Sequence, residues 1–149
     1  MPQLEKAYID TGKVKYVIRD FPLESIHKFA RKASEAVWCA NEQGKIWEMH
    51  DHLFANYRQL QPEALVQYAQ AVGLDVPAFQ TCLDSGKYTA KINASLQEGQ
   101  KAGVRGTPAF WLGYTVPESG EIKAIKFLNG AFPFNTFKQT IDQLLETKK

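Results

Sequence analysis

Gly103-Val104-Arg105-Gly106-Thr107-Pro108-Ala109-Phe110 is the stretch on which the reading of this chain turns. Two glycines and a proline close together mark a loop, and the apolar run behind them marks a strand. That strand is expected over Ala109 to Gly113. Beyond it, Tyr114 to Gly120 contains Pro117 and Ser119-Gly120 and reads as a hairpin loop. Glu121 to Leu128 is the returning strand, stopped by Asn129-Gly130. After Pro133, Phe134, Phe137, Ile141, Leu144 and Leu145 recur at helical spacing and define a closing amphipathic helix.

Toward the N-terminus the pattern is helical. Tyr88, Ile92, Leu96 and Gly99 mark one helix. Val76, Phe79, Cys82 and Leu83 mark another, with Asp75 as its N-cap and Asp84-Ser85-Gly86 as its stop. Pro62 suits the first turn of a helix carrying Leu65, Val66, Ala69 and Val72, which Gly73 closes. An earlier amphipathic stretch places Ile46, Leu53, Phe54 and Tyr57 on one side. Ile26, Phe29, Ala30, Ala33, Ala36, Val37 and Ala40 give a helix over Glu24 to Ala40, broken at Gly44. Before it, Lys13 to Phe21 alternates like a strand and ends at Pro22. Leu4 to Ile9 reads as the last turns of a helix closed at Thr11-Gly12.

Composition narrows the partners. The chain has 149 residues, 44% hydrophobic and 23% charged, as expected of one folded domain with a buried core. A formal charge of +2, with no basic run longer than Lys148-Lys149, argues against a nucleic-acid partner. No apolar run approaches the roughly 18 residues of a membrane span, so no membrane partner is expected. Met1-Pro2-Gln3-Leu4-Glu5-Lys6 has no apolar signal core, which reads as cytoplasmic for the chain as written. With three histidines and two scattered cysteines, neither a metal site nor a cofactor is expected. His50 and His52 point to different sides of a helix, and His27 reads as a packing or capping residue. Glu48 and Asp51 read as a solvated face.

The order of elements and a set of blocks resemble the DsbA-like branch of the thioredoxin superfamily. The blocks are Pro2-x-Leu4, Tyr8-Ile9-x-Thr11-Gly12-Lys13-Val14, Arg19-Asp20-Phe21-Pro22-Leu23 and His27. A longer one runs Ala36-x-x-Cys39-Ala40-x-x-Gln43-Gly44-Lys45-x-Trp47-x-Met49-His50-Asp51-x-Leu53-Phe54. The last are Gly103-Val104-x-Gly106-Thr107-Pro108-Ala109-Phe110 and Asn129-Gly130-Ala131. The resemblance implies an α/β fold, a thioredoxin-like core with an inserted α-helical domain. Residues 1–22 and 104–149 would form the core, and 23–103 the helical insertion.

The departure from that family sits at the front. Its members carry a strand leading into Cys-x-x-Cys at a helix N-terminus, where the free N–H groups lower the first thiol's pKa. This sequence contains no Cys-x-x-Cys, so the core is expected to be incomplete, without its first strand, and no catalytic residue is assigned. The open sheet edges would then pair by rearrangement or by strand exchange in a homo-oligomer.

By the same resemblance, Pro108 would be cis, and Thr107 would offer its backbone N–H and C=O to an extended polypeptide substrate. Arg105 is a candidate contact for a substrate carbonyl or carboxylate, or a solvated loop arginine. Trp111 is a candidate groove wall. Phe132, Phe134 and Phe137 read instead as packing for the closing helix. Cys39 and Cys82 are either buried free thiols or, as in some relatives, a structural disulfide between two inserted helices.

Three functions remain open. The chain is part of a protein disulfide oxidoreductase in truncated or inactive form, or a redox-inactive peptide-binding, chaperone-like module. The third is a helix-bearing thioredoxin-fold isomerase or glutathione transferase, which Gly106-Thr107-Pro108 fits less well. The family is mostly exported, so a periplasmic or other extracytoplasmic setting is expected if a signal segment lies upstream.

Overall fold

The structure is a computed structural model that describes residues 2–147. Met1 and the Lys148-Lys149 pair lie outside the described residues. Two compact units are present, Met1–Ile18 with Val104–Lys149 and Arg19–Gly103.

The first unit gathers both ends of the chain. Helix α1 (Pro2–Leu4) runs into a π-helical turn, Glu5–Ile9. It stops where Gly12 takes φ +70°, a left-handed conformation that costs glycine little. Strands β1 (Ala109–Thr115) and β2 (Ile122–Asn129) form an antiparallel pair running from Ala109↔Asn129 to Thr115↔Ile122. The register shifts at Leu112/Gly113. There a Cβ on Gly113 would stand 2.1 Å from the Lys123 carbonyl oxygen, so the bulge admits only glycine.

Alternation along β1 puts Phe110 and Leu112 on one face and Trp111 on the other. The first face packs against a core of Tyr8, Leu128, Phe137 and Ile141. Phe137 and Ile141 come from the closing helix, named α7 below (Phe134–Thr147). On the other face Trp111 stacks on Phe127, with ring centres 4.6 Å apart.

The second unit is helical: α2 (Ala30–Asn41), α3 (Ile46–Ala55), α4 (Pro62–Ala71), α5 (Val76–Ser85) and α6 (Thr89–Lys101). Ala36, Ala40, Met49, Leu65, Ala69 and Phe79 are its fully buried seam. Local chemistry sets the helix ends. Asp75 Oδ1 accepts the Ala78 N–H at 2.8 Å, Pro62 opens α4, and Gly86 closes α5 at φ +63°. The buried Glu35 carboxylate is held by Lys32 Nζ at 2.9 Å and the Thr89 hydroxyl at 2.5 Å. Cys39 in α2 and Cys82 in α5 are joined by a disulfide, with Cα atoms 5.8 Å apart.

Four expectations are corrected. Lys13 to Phe21 is irregular chain and not a strand, because no described segment supplies it with a ladder. The Lys13 and Val14 N–H groups both turn back to the Tyr8 carbonyl. The helix expected from Glu24 begins at Ala30. Ile26 is 69% exposed, so no burial supports the earlier turns. On α3 the buried residues are Met49 and Leu53, an i,i+4 pair, while Phe54 is 69% exposed and Tyr57, which lies beyond the helix, 61%. The hairpin loop is shorter than expected. Tyr114 and Thr115 belong to β1, and the Val116 N–H closes on the Glu121 carbonyl at 2.8 Å.

Candidate functional site

The Thr107–Pro108 peptide is cis. The Pro108 carbonyl accepts the Gly130 N–H at 2.9 Å, which ties this loop to the turn after β2. Thr107, one residue earlier, is exposed, and its backbone N–H and C=O bond to no other described residue. The chain therefore presents one unoccupied donor and one unoccupied acceptor immediately before a strand.

Beside this loop lies a cavity of about 290 Å³, walled by Leu4, Pro108, Phe110, Phe132, Phe134 and Phe137 among others. Its floor is firm. The Phe110 and Phe137 rings meet edge to face at 4.8 Å, and Phe137 is itself buried. Its rim is open, with Phe132 41% exposed. No lining side chain ionises. The cavity can bind an apolar side chain by burial of its surface, but it offers no proton donor or base.

Within the same unit, the Tyr8 hydroxyl donates to Asp142 Oδ1 at 2.7 Å. Burial first, and then this carboxylate, push the phenol up to about 12. Lys138 and then Tyr8 hold the Asp142 carboxyl below its ordinary value. This triad fastens the N-terminal turn to α7.

The expected site residues separate. Thr107 and Pro108 stand at the loop and cavity. Arg105 is exposed, and no described residue bonds to its guanidinium. Trp111 is not in the cavity wall, since alternation puts it on the face opposite Phe110. Phe132, Phe134 and Phe137, read from sequence as packing, line the cavity together. Their signal was the run Phe132-Pro133-Phe134, where a proline keeps the first ring outside the helix.

The two cysteines are spent on each other, so no thiol in this chain is free. His50 lies against Trp47, Phe54 and Asp51, whereas the His52 ring meets Tyr68 at 4.7 Å. Among the described residues no group of three His, Cys, Asp or Glu side chains could hold a metal ion. Nor is any described helix long and apolar enough to cross a membrane.

Comparison with known proteins agrees with this geometry. The crystal structure of alpha-DsbA1 from Wolbachia pipientis superposes on 98% of this chain and 75% of its own, with a TM-score of 0.76 and 26% identity. The thiol-disulfide exchange protein alpha-DsbA2 of the same organism, 21% identical, matches in fold with a TM-score of 0.71 over 91% of this chain and 68% of its own.

Curated relatives are larger proteins. The Na(+)/H(+) antiporter NhaA 3 of Salinispora tropica is 35% identical over 111 residues, which is 74% of this chain and 17% of the antiporter. The antiporter NhaA of Herminiimonas arsenicoxydans is 33% identical over 99 residues, 16% of its length. The chain thus spans about a sixth of the curated relatives it matches. The family model described as Thioredoxin covers residues 1–145. With the cis-proline loop, the helical unit and the alpha-DsbA1 superposition, the chain belongs to the thioredoxin family, in its DsbA-like branch.

Proposed function

We propose that this chain is the substrate-docking part of a DsbA-like protein disulfide oxidoreductase and binds extended polypeptide beside Thr107 and Pro108. The observation that carries this reading is the unbonded backbone of Thr107 next to an apolar cavity. An extended peptide running past Thr107 would exchange two hydrogen bonds with it, as an added strand does. One of its apolar side chains would fill the space among Pro108, Phe110 and Phe132. Arg105 and Trp111 stand outside that pairing, Arg105 as a contact for a passing carboxylate.

Disulfide exchange needs a reactive thiolate, and both cysteines of this chain are in one disulfide. By itself the chain therefore binds and does not transfer electrons. The same fact favours a second reading, a redox-inactive peptide-binding or chaperone-like module. The two part company on the presence of an in-frame Cys-x-x-Cys ahead of residue 1 in the natural protein. A structural disulfide fits an oxidising, extracytoplasmic setting. The open edge of β1 also leaves room for homo-oligomers through edge pairing.

The test is fluorescence polarisation with a labelled, unfolded and carboxymethylated polypeptide. Thr107→Pro removes the N–H and should weaken binding at least tenfold, while Thr107→Ala keeps the backbone and should change it little. Phe132→Ala, which leaves the loop intact, should also weaken binding. Equal affinity across all four proteins would refute the docking site.

A further inference from the structure

The Cys39–Cys82 bond has surroundings that set it apart from an exchangeable disulfide. Both cysteines are buried, Cys39 at 1% and Cys82 at 9% exposure, so Cys82 is the less deeply buried of the two and the one nearer an external nucleophile. Glu42, just past the end of α2, places Oε1 3.6 Å from Cys82 Sγ. A disulfide sulfur carries no hydrogen, so this contact is not a hydrogen bond to the carboxylate. The same oxygen accepts from Lys87 Nζ at 2.7 Å and from the Tyr88 hydroxyl at 2.8 Å. Two groups from the turn between α5 and α6 therefore hold a negative oxygen beside the sulfur of the less buried cysteine.

We infer that Glu42 is a guard that shields the Cys39–Cys82 bond from thiol–disulfide exchange. The chemistry of the step explains how. A dithiol reductant attacks through its thiolate, bonds to Cys82 Sγ and expels Cys39 as a thiolate. Its second thiol then attacks the reductant sulfur of that mixed disulfide and releases Cys82. Two electrons pass to the cysteines, the reductant leaves as its own disulfide, and its thiol protons end on the two cysteines. The incoming thiolate meets the Glu42 carboxylate, and like charges repel. The leaving Cys39 thiolate forms among Ala36, Ala40 and other apolar side chains, where it is poorly solvated and leaves slowly.

Such a guard has a use in a protein that handles substrate thiols, because it keeps the structural bond out of the exchange. Glu42 acts through charge and position and touches no substrate, and the inference does not depend on the docking proposal.

The test is the rate at which dithiothreitol reduces the folded chain, followed by alkylation of new thiols and mass spectrometry. Glu42→Gln should raise the rate about twofold to fivefold, the range that a single exposed charge commands. Lys87→Met removes the neutralising partner, keeps the carboxylate, and should leave the rate unchanged or lower it. Acceleration by both variants would overturn the charge guard, because loss of the clamp would then be the cause. No acceleration by Glu42→Gln would overturn it as well, as would reduction of the wild type as fast as an exposed small-molecule disulfide. Raising the salt concentration should shrink the Glu42→Gln effect, which separates charge from local loosening.

Discussion

Two glycines seven residues apart should respond oppositely to the same substitution. At Gly113 a Cβ would lie 2.1 Å from the Lys123 carbonyl oxygen, 2.8 Å from that carbonyl carbon and 2.9 Å from Ala124 Cα. All three atoms belong to the backbone of β2, so no side chain can rotate away. Either the bulge at Leu112/Gly113 opens or the register slips. A slip by one residue would turn Leu128 out of the core, so the chain should keep the register and absorb the clash. Overpacking of this kind costs about 1–3 kcal/mol, and contact with fixed backbone puts Gly113→Ala at the upper end. For a chain of this length that lowers Tm by roughly 6–12 °C.

At Gly106 no atom beyond its chain neighbours lies within 4 Å of the new Cβ, and its φ lies outside the left-handed region that alanine avoids. Gly106→Ala should be neutral or stabilising by about 0.4–1 kcal/mol, through a less flexible unfolded chain. Differential scanning calorimetry with urea titration measures both. A Gly113→Ala protein melting within about 1 °C of wild type would refute the reasoning, because the bulge would then have room that the structure denies it.

Two further outcomes are expected. Replacing both Cys39 and Cys82 by alanine opens a loop with a sequence separation of 43 residues. The chain-entropy relation puts the loss near 4 kcal/mol, and urea denaturation would reveal a loss under about 1 kcal/mol if helix packing alone holds α2 to α5. Tyr8 has a folded pKa of about 12 against an ordinary 10.0. Its contribution is fully present below pH 10 and is lost as pH rises toward 12, by about 2–3 kcal/mol. Tyr8→Phe should lack this alkaline decline. Stability curves of equal slope for both proteins between pH 10 and 12 would contradict it.

Local signals carried much of the reading. Pro62, Asp75 and Gly86 act on their own helices within one turn, so their roles are written in the chain beside them. The same holds for the loop Gly103 to Pro108 and for the closing helix, whose apolar positions repeat without interruption. What depended on distant partners was not legible. A run like Lys13 to Phe21 has a strand's side-chain rhythm, but becoming a strand takes a neighbour with matching N–H and C=O groups. The aromatic residues at the end of α3 and just beyond it show the same limit, because Phe54 and Tyr57 fit a helical stripe yet stand mostly exposed. Pairing of Cys39 with Cys82 rests on a Cα separation that only the packed helices set. At the site, sequence marked Thr107 and Pro108, whereas the phenylalanine cavity came from convergence of the N-terminal turn, β1 and α7.

The fastening of Tyr8 to Asp142 spans 134 positions of sequence. On a ribosome, residues 19–103 emerge complete and can collapse around their own core while the Tyr8 segment waits. The first unit cannot close until α7 has left the exit tunnel. At ordinary synthesis speeds of about 5–20 residues per second, the N-terminal turn stays unpartnered for several seconds. Tyr8, Leu4 and Ala7 are apolar surface during that interval. Chaperone capture and proteolysis of the nascent chain should therefore concentrate on the segment around Tyr8 rather than on residues 19–103.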